Sequence, residues 1–362
     1  MPSTPTLPDS IVNSDIQNVL SSCKNEFTQL AGRKILLTGG GGFVGSYLVE
    51  SVAAFNRIGG QPPCQLFLPT RSPDTVKLKF PHLCGLPHIS WFEWDSGWKI
   101  HTSGPVDYVI HAASPADPAD YLDAPYEAMK SIAQLTQKVL DFSLGQGAKR
   151  FLYVSSGAVY GEQPAALANI PETYNGAPDL TNPASCYGES KRYCELLCRT
   201  SGIPAMFARL FSFVGPYQKL DGNFAIGNFI RQAVQHQRIQ LYSPGLSRRT
   251  FCYASDLASA LWKLLLNGEC GEIYNVGRAG TVVTIREVAD AVSQLIGDIP
   301  VSVPLQETHE LIVRQKYIPD VSKLSSLYAP QIDWRDGIAR TLASLYARGK
   351  IPHVSETVRN LI

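Results

Sequence analysis

A tyrosine and a lysine four residues apart are the first residues in this sequence whose spacing suggests chemistry. Tyr187 and Lys191 begin a segment with a helical pattern, in which residues i and i+4 share one face. A free phenol has a pKa of about 10 and is a poor base at neutral pH, but a neighbouring ammonium could stabilise its phenolate. Ser156 ends an apolar segment that predicts a strand, and it could hydrogen-bond the same substrate oxygen. These three residues are the predicted catalytic group for proton transfer at an alcohol.

The same spacing occurs twice more, at Tyr126 to Lys130 and at Tyr346 to Lys350. Neither of these pairs follows a strand that ends in two serines, and ordinary packing on a helix surface explains both. The sequence therefore favours the pair that begins at Tyr187.

A glycine-rich turn upstream predicts a dinucleotide site. Residues 35–37 are typical of a buried parallel strand, and the pattern from Phe43 onward predicts a helix. Glycines at three-residue intervals allow a tight turn, backbone amides against a pyrophosphate, and close packing of the helix on the strand. A plain glycine-rich turn is the alternative, but the flanking strand and helix favour the dinucleotide. The candidate cofactor-binding residues here are Gly39, Gly42, Phe43, Val44 and Gly45.

The end of the second predicted strand, at 65–68, bears on the choice of cofactor. In dinucleotide folds an acid near this position holds the ribose 2′-hydroxyl of NAD. This chain has no carboxylate there, and Arg71 could instead bind a 2′-phosphate. A solvated loop arginine is the alternative, so NADP is only slightly favoured over NAD.

Two later predicted strands carry further candidate contacts for the cofactor. Asp95 follows the strand predicted at 89–94 and could contact adenine. Ala112 and Ala113 follow the fourth strand, and their small side chains leave room for the cofactor to cross the strand ends. His111, directly before them, is expected to be structural.

Strand and helix alternate five times up to residue 155, which predicts an α/β fold with a doubly wound parallel sheet. The pattern includes one long helix over 118–143, followed later by a strand over 206–213. Shorter, mixed elements from residue 215 onward predict a smaller α+β substrate-binding lobe. The expected organisation is an N-terminal extension with a short helix at 1–30, a Rossmann domain at 31–214, a mainly substrate-binding lobe at 215–350, and a tail at 351–362.

The composition favours a small-molecule partner. The 362 residues are 44% apolar and carry a formal net charge of +1, with acids and bases interspersed, which argues against nucleic acid. The sequence has neither a run of about 18 apolar residues nor a signal-peptide pattern, so we expect no membrane span and a cytosolic location. Eight scattered cysteines in a chain of this size predict free thiols and no metal site.

Five motifs are spread over about residues 33–345: Thr38-Gly-x-x-Gly-Phe-x-Gly45, His111-Ala-Ala-Ser-Pro115, Ser155-Ser-Gly-Ala-Val-Tyr-Gly161, Tyr187-Gly-Glu-Ser-Lys191-Arg192 and Arg248-Arg-Thr-Phe-Cys-Tyr-Ala-Ser-Asp256. Together they resemble the extended short-chain dehydrogenase/reductase family of nucleotide-sugar epimerases and dehydratases. The resemblance implies a Rossmann domain with tightly held NAD or NADP, a lobe that binds a nucleoside diphosphate sugar, and a homodimer formed through a four-helix bundle.

The resemblance also assigns roles to residues. It implies that Ser156, Tyr187 and Lys191 form a catalytic triad, and that Arg249 and Arg314 clamp the diphosphate, a task that suits a planar guanidinium. Ser114 and Asn228 are further candidate substrate contacts.

The two residues after Ser156 narrow the choice of reaction. Dehydratases of this family resemble one another in having two acids there, where this chain has Gly157 and Ala158, and decarboxylating relatives also carry a carboxylate at the second position. The pair suits a 4-epimerase and a 4-keto sugar reductase equally. The missing ribose acid favours the reductase, and the abundance of epimerases in the resembled family makes a 4-epimerase the preferred prediction. An NADPH-dependent 4-keto sugar reductase, a dehydratase or decarboxylase relative, and a non-catalytic dinucleotide-binding protein remain alternatives. Ser212 and Phe213 stand where relatives usually have a substrate-binding asparagine, so sugar recognition could differ.

Overall fold

The computed structural model describes residues 9–94, 102–222, 224–304 and 315–362. Its strands are β1 (Lys34–Thr38), β2 (Gln65–Thr70), β3 (Ile89–Glu93), β4 (Tyr108–His111), β5 (Arg150–Ser156), β6 (Ala205–Leu210), β7 (Ser212–Val214), β8 (Ile239–Gln240), β9 (Arg248–Arg249), β10 (Phe251–Tyr253), β11 (Ile273–Val276), β12 (Val283–Thr284), β13 (Val301–Ser302) and β14 (Lys316–Tyr317).

Its helices are α1 (Ser10–Ser22), α2 (Lys24–Leu30), α3 (Phe43–Ile58), α4 (Pro73–Lys79), α5 (Pro118–Leu122), α6 (Pro125–Gly145), α7 (Cys186–Thr200), α8 (Ala225–His236), α9 (Ala254–Asn267), α10 (Ile285–Ile296), α11 (Ser322–Ser325), α12 (Trp334–Ala347) and α13 (Glu356–Arg359). None of these described helices combines the length and the apolar character needed to cross a bilayer.

Seven parallel strands of the described chain form one sheet in the order β11-β6-β5-β4-β1-β2-β3. The predicted doubly wound parallel sheet is confirmed. The strand order reverses between β1 and β4, where Thr38 pairs with His111. Ligands of such sheets bind at this reversal, beyond the carboxyl ends of the strands.

Helices cover both faces of the sheet, which is why its strands are continuous apolar runs. On one face, α3 and α9 pack together with α1, and their buried side chains form the largest core. On the other face, α6 and α7 pack against each other and enclose a second core.

The N-terminal segment is an integral part of the fold. The short helix predicted within residues 1–30 is present as two helices, α1 and α2. Asp15 of α1 is fully buried and accepts hydrogen bonds from Tyr47 of α3 at 2.8 Å and from Tyr253 of β10 at 2.6 Å. Arg340 of α12 donates to its other oxygen at 3.3 Å. One carboxyl group thus joins elements that lie far apart in the sequence.

A second lobe forms around its own core, built from α8, α10 and α12 and the short strands next to them. The boundary predicted at residue 215 does not separate this lobe from the sheet. After β10 the chain returns to the large sheet, where α9 packs on β5 and β6 and β11 pairs with β6. The sequence pattern does not indicate this return, because a short apolar strand does not reveal its pairing partner.

Two predicted elements are divided in the structure. The helix predicted over 118–143 is split into α5 and α6 because Pro125 begins a new helix and disfavours a helical conformation at Ala124. The strand predicted over 206–213 is split at Phe211, whose amide donates to the carbonyl of Val276. The strand after this break, β7, pairs with β10 instead of continuing in the large sheet.

Candidate active site

The glycine loop between β1 and α3 is tightly packed. Gly39 has a φ of +77°, and a Cβ built on it would lie 2.8 Å from the backbone nitrogen of Ala113. A Cβ on Gly45 would collide with the carbonyl of Gly39. Only glycine fits at these two positions. The loop therefore brings the first turn of α3 close to the end of β4.

The N-terminus of α3 suits a pyrophosphate. Gly42 is the N-cap residue and offers no side chain to the first-turn amides, which include those of Phe43 and Val44. Such amides are ready donors to an anion. Nearby, the hydroxyl oxygen of Ser114 is buried and has no hydrogen-bond partner among the described residues. The donors and this hydroxyl fit a dinucleotide lying across the strand ends with a substrate beside it.

His111 fixes the junction between β1 and β4. Its Nδ1 lies 2.7 Å from Oγ1 of Thr38, and its Nε2 lies 3.0 Å from Oγ1 of Thr136. Burial, and next the charge of Lys191, lower the pKa of His111 to about 3, so the ring is neutral at physiological pH. The amide of Ala113 donates to the same Thr38 oxygen at 3.1 Å. These contacts agree with the structural role expected for His111.

The structure brings Ser156, Tyr187 and Lys191 together at the carboxyl end of β5. Helix α7 packs against β5 and the turn after it, and so Tyr187 and Lys191 face the strand end. Nζ of Lys191 donates to the carbonyl of Val154 at 2.9 Å and lies 5.8 Å from the centroid of the Tyr187 ring. Oγ of Ser156 accepts from the amide of Ala158 at 3.1 Å.

The pKa of Tyr187 is not lowered, although the sequence predicts that the neighbouring ammonium of Lys191 would stabilise its phenolate. Burial, followed by the neighbouring phenol of Tyr317, raises the pKa of Tyr187 above its ordinary value, while Ser156 acts in the opposite direction. The ammonium of Lys191 is itself buried, which lowers its pKa to about 8, although the charge of Glu195 opposes this shift. The chain alone therefore holds the phenol in its neutral form.

Two tyrosines that sequence reasoning missed lie beside Tyr187. The ring of Tyr121 stacks on the ring of Tyr187, with centroids 5.0 Å apart and planes 12° apart. Tyr317, from β14, is close enough to influence its pKa. In the sequence, Tyr121 is only one apolar position of a predicted helix, and no local pattern relates Tyr317 to a residue 130 positions earlier.

Tyr317 also connects the second lobe to the turn after Ser156. A Cβ built on Gly157 would lie 2.6 Å from the Tyr317 hydroxyl oxygen and 2.9 Å from the ring of Phe211. The guanidinium of Arg249 lies 5.7 Å from the centroid of the Tyr317 ring. Arg249, the predicted diphosphate-binding residue, thus lies next to Tyr317, and Tyr317 lies next to Tyr187.

No hydrogen bond or ion pair between described residues joins the remaining predicted site residues to Ser156, Tyr187 or Lys191. Arg71 is exposed after β2. Asn228 lies on α8, where its amide oxygen accepts from Arg231 at 2.8 Å and from Gln232. Asp95 and Arg314 lie outside the described residues.

A buried ion pair between α7 and β6 lies next to the end of β5. Glu195, one helical turn after Lys191, binds the guanidinium of Arg209 through both oxygens at 2.9 and 2.6 Å. Its Oε1 also accepts from the hydroxyl of Ser155 at 2.5 Å. This contact holds α7 against the end of β5.

The sheet and its glycine loop define a Rossmann-type dinucleotide-binding enzyme. The NAD dependent epimerase/dehydratase family model matches residues 35–277, more than half of the chain, and the chain belongs to this family. The resemblance drawn from the five motifs is confirmed.

Several nucleotide-sugar enzymes are similar to this chain. The chain is 31% identical to UDP-glucuronic acid decarboxylase 6 of Arabidopsis thaliana over 84% of its own length and 86% of the relative's. A dTDP-glucose 4,6-dehydratase from Streptomyces venezuelae, solved with NAD, has a TM-score of 0.74 at 22% identity and covers 88% of this chain and 98% of its own. UDP-glucose 4-epimerase from Thermotoga maritima, solved with UDP-glucose, has a TM-score of 0.70 at 21% identity and covers 88% and 99%. The two structures show the shared fold.

Proposed function

We propose that this enzyme binds a nucleoside diphosphate sugar and interconverts the sugar 4-hydroxyl and its ketone, acting as a 4-epimerase. The observation that carries the proposal is the meeting of Ser156, Tyr187 and Lys191 at the edge of the sheet that also carries the glycine loop. A bound nicotinamide would supply hydride transfer at the sugar C4 position and a positive charge that favours the Tyr187 phenolate.

The chain's own residues would handle the proton. Tyr187 takes the proton of the 4-hydroxyl and later gives it back, while Ser156 hydrogen-bonds the same oxygen and keeps it in line. Lys191 supplies a buried positive charge one helical turn from the phenol. Its pKa of about 8 leaves the ammonium mostly charged at neutral pH.

The turn after Ser156 favours epimerisation over elimination of water. Gly157 and Ala158 supply no carboxyl group. The space beside Gly157 is taken by Tyr317 and Phe211, which leaves no room for an acid there in this arrangement. In an epimerase the 4-keto sugar would turn over and take the same hydride back on its other face. In a reductase, a 4-keto sugar from solution would take hydride from NADPH and a proton from Tyr187, and would leave as the alcohol with NADP⁺ as the second product.

A second candidate is decarboxylation of a nucleotide-linked uronic acid. The identity of about 30% to UDP-glucuronic acid decarboxylases, over most of both chains, favours it. Oxidation at C4 of such a sugar makes a β-keto acid, whose carboxyl group leaves C5 as carbon dioxide, and the enolate that remains must then take a proton at C5. The missing carboxylate at Ala158 weighs against this candidate.

One experiment separates these reactions. The purified protein is incubated with UDP-, GDP-, CDP- and dTDP-linked hexoses and with UDP-glucuronic acid, and the products are analysed by mass spectrometry and NMR. An isomer of unchanged mass supports the epimerase. Loss of carbon dioxide supports the decarboxylase, loss of water a dehydratase, and consumption of NADPH with an added 4-keto nucleotide sugar a reductase. No turnover of any of these sugars, with cofactor bound, would overturn the proposal.

We also propose a homodimer formed through α6 and α7. Large apolar side chains are exposed on both helices, with Tyr126 72% and Met129 41% exposed on α6, and Tyr193 55% and Leu196 60% on α7. A four-helix bundle with a second copy would cover them. Light scattering of the purified protein tests this, and Leu196→Glu should shift a dimer toward monomer.

A further inference from the structure

The phenol of Tyr317 lies at the strand end that carries Ser156, although its own strand belongs to the second lobe. Its hydroxyl donates to the carbonyl of Leu210 at 3.4 Å, and Leu210 is the residue of β6 that pairs with Ser156. The hydroxyl oxygen also lies 2.6 Å from a Cβ built on Gly157. It therefore stands beside the residue that we propose as a contact of the sugar 4-oxygen.

The ring of Tyr317 extends from this strand end toward Arg249. The two residues pair between β14 and β9, and the guanidinium lies 5.7 Å from the centroid of the ring. With the diphosphate at Arg249 and the 4-oxygen at Ser156 and Tyr187, as proposed, a sugar must lie along Tyr317. The phenol then faces the edge of the sugar next to C4.

Contacts on both sides hold Tyr317 in place. The amide of the next residue, Ile318, donates to Oε1 of Gln163 at 2.9 Å, and its carbonyl accepts from the amide of Ile170 at 2.8 Å. The ring packs on Phe211 with centroids 4.5 Å apart, and 9% of the residue is exposed. The phenol is thus fixed and set back in the wall of the site, so a group must extend from the sugar ring to reach it.

The oxygen on C6 is the group of a hexose that best meets this requirement. The carbons next to C4 are C3 and C5. The 3-hydroxyl is attached directly to the ring, whereas the oxygen on C6 is one bond further out and turns about the C5–C6 bond. A phenol both donates and accepts hydrogen bonds, so it can bind a C6 hydroxyl or the C6 carboxylate of a uronic acid.

We propose that Tyr317 is a specificity-determining residue of the sugar site, whose hydroxyl group hydrogen-bonds the oxygen on C6. The inference rests on the proposed function, which puts the 4-oxygen at Ser156 and Tyr187. Tyr317 exchanges no proton with the substrate in this arrangement. It distinguishes a hexose or a uronic acid from a sugar that has no oxygen on C6.

The test compares the binding of sugars that differ only at C6. Titration calorimetry of the full-length protein first finds which of UDP, GDP, CDP and dTDP binds most tightly. Glucose, 6-deoxyglucose and glucuronic acid linked to that nucleoside diphosphate are then titrated into protein loaded with NADH or NADPH, which cannot oxidise the sugar. The nucleoside diphosphate alone reports binding that does not involve the sugar.

The variants are Tyr317→Phe and, as the matched control, Tyr160→Phe. Tyr160 lies in the same buried apolar cluster as Tyr317, but its hydroxyl donates to Asn275 at 2.8 Å. Both substitutions remove one phenolic hydroxyl from this cluster, and thermal unfolding checks that each variant is folded.

We expect the unmodified protein to bind the glucose or the glucuronic acid derivative about three- to tenfold more tightly than the 6-deoxyglucose derivative, because one hydrogen bond is gained. Tyr317→Phe should remove this difference and change the affinity for the nucleoside diphosphate alone by less than about twofold. Loss of the difference for glucose identifies the hydroxyl as the group bound, and loss for glucuronic acid identifies the carboxylate. Tyr160→Phe should retain the difference.

Equal affinity of the unmodified protein for all three sugars would overturn the inference without use of any variant. A difference that persists in Tyr317→Phe would overturn it as well. Both results would leave the proposed reaction at C4 intact. Binding of none of the four nucleoside diphosphates or their sugars would instead overturn the proposed function.

Discussion

The hydroxyl oxygen of Tyr317 lies where a side chain on residue 157 would begin, 2.6 Å from a Cβ built on Gly157. The two residues come from different lobes and are far apart in the sequence. Next to Ser156, which we propose as a catalytic residue, the second lobe therefore contributes a phenol in place of a side chain from the turn itself. Tyr317 can occupy this position because residue 157 is a glycine.

This relationship predicts that Gly157→Ala destabilises the protein by about 1–3 kcal/mol, the usual cost of overpacking. The new methyl group would press on Tyr317 and Phe211. Urea unfolding measures the effect. The double variant Gly157→Ala with Tyr317→Phe should lose less than the sum of the two single variants, because the hydroxyl that collides is gone. Additive losses would show that the two residues do not compete for space.

Tyr187→Phe should lower kcat by about a hundredfold or more, because the phenol that exchanges the proton is removed while the ring remains. NAD(P)H binding, measured by fluorescence, should change little. Tyr126→Phe is the matched control, since Tyr126 also precedes a lysine by four residues but is 72% exposed on α6. Full turnover in Tyr187→Phe would exclude this phenol as the base.

Asp15 should make stability depend on pH in a direction opposite to most carboxylates. Burial, opposed by hydrogen bonds from Tyr253 and Tyr47 and by the charge of Arg340, raises the pKa of Asp15 from 3.8 to about 6. The folded protein then holds a proton that the unfolded chain releases, so this contribution is greatest below pH 4 and is lost as pH rises through 6.

Relative to Asp15→Asn, which does not titrate, the unmodified protein should therefore lose up to roughly 3 kcal/mol of unfolding free energy between pH 4 and pH 7. Urea unfolding of both proteins across this range measures the difference. A constant difference would mean that Asp15 is ionised in the folded protein throughout.

Glu195→Gln should destabilise the protein by about 3–5 kcal/mol, because it leaves the guanidinium of Arg209 in a buried site without its opposite charge. Glu189→Gln is the matched control on the same helix. Its contact with Arg192, at 3.7 Å, is part-exposed, and so its loss should cost about 1 kcal/mol or less. Similar effects of the two substitutions would show that the Glu195 pair contributes no more than a surface pair.

Much of the fold could be predicted because its signals are local. The apolar runs before and after the glycine turn and the three-residue glycine interval all lie within short windows, and the structure begins α3 at Phe43, where the pattern predicts a helix. The predicted helix over 118–143 was wrong because its local pattern is compatible with two structures. Pro125 could have been tolerated within one helix or could have started a second, and the structure has the second.

The sequence alone determined the chemistry available to this protein: a tyrosine, a lysine and a serine at spacings that a helix and a strand end can bring together, and a turn that only glycines can make. Tertiary structure decided what surrounds the phenol. It placed Tyr121 and Tyr317 beside Tyr187, committed Lys191 to a backbone carbonyl and buried Asp15 between two lobes. These contacts depend on the pairing of distant segments, and the period of a helix or strand carries no information about which distant residue will lie against it.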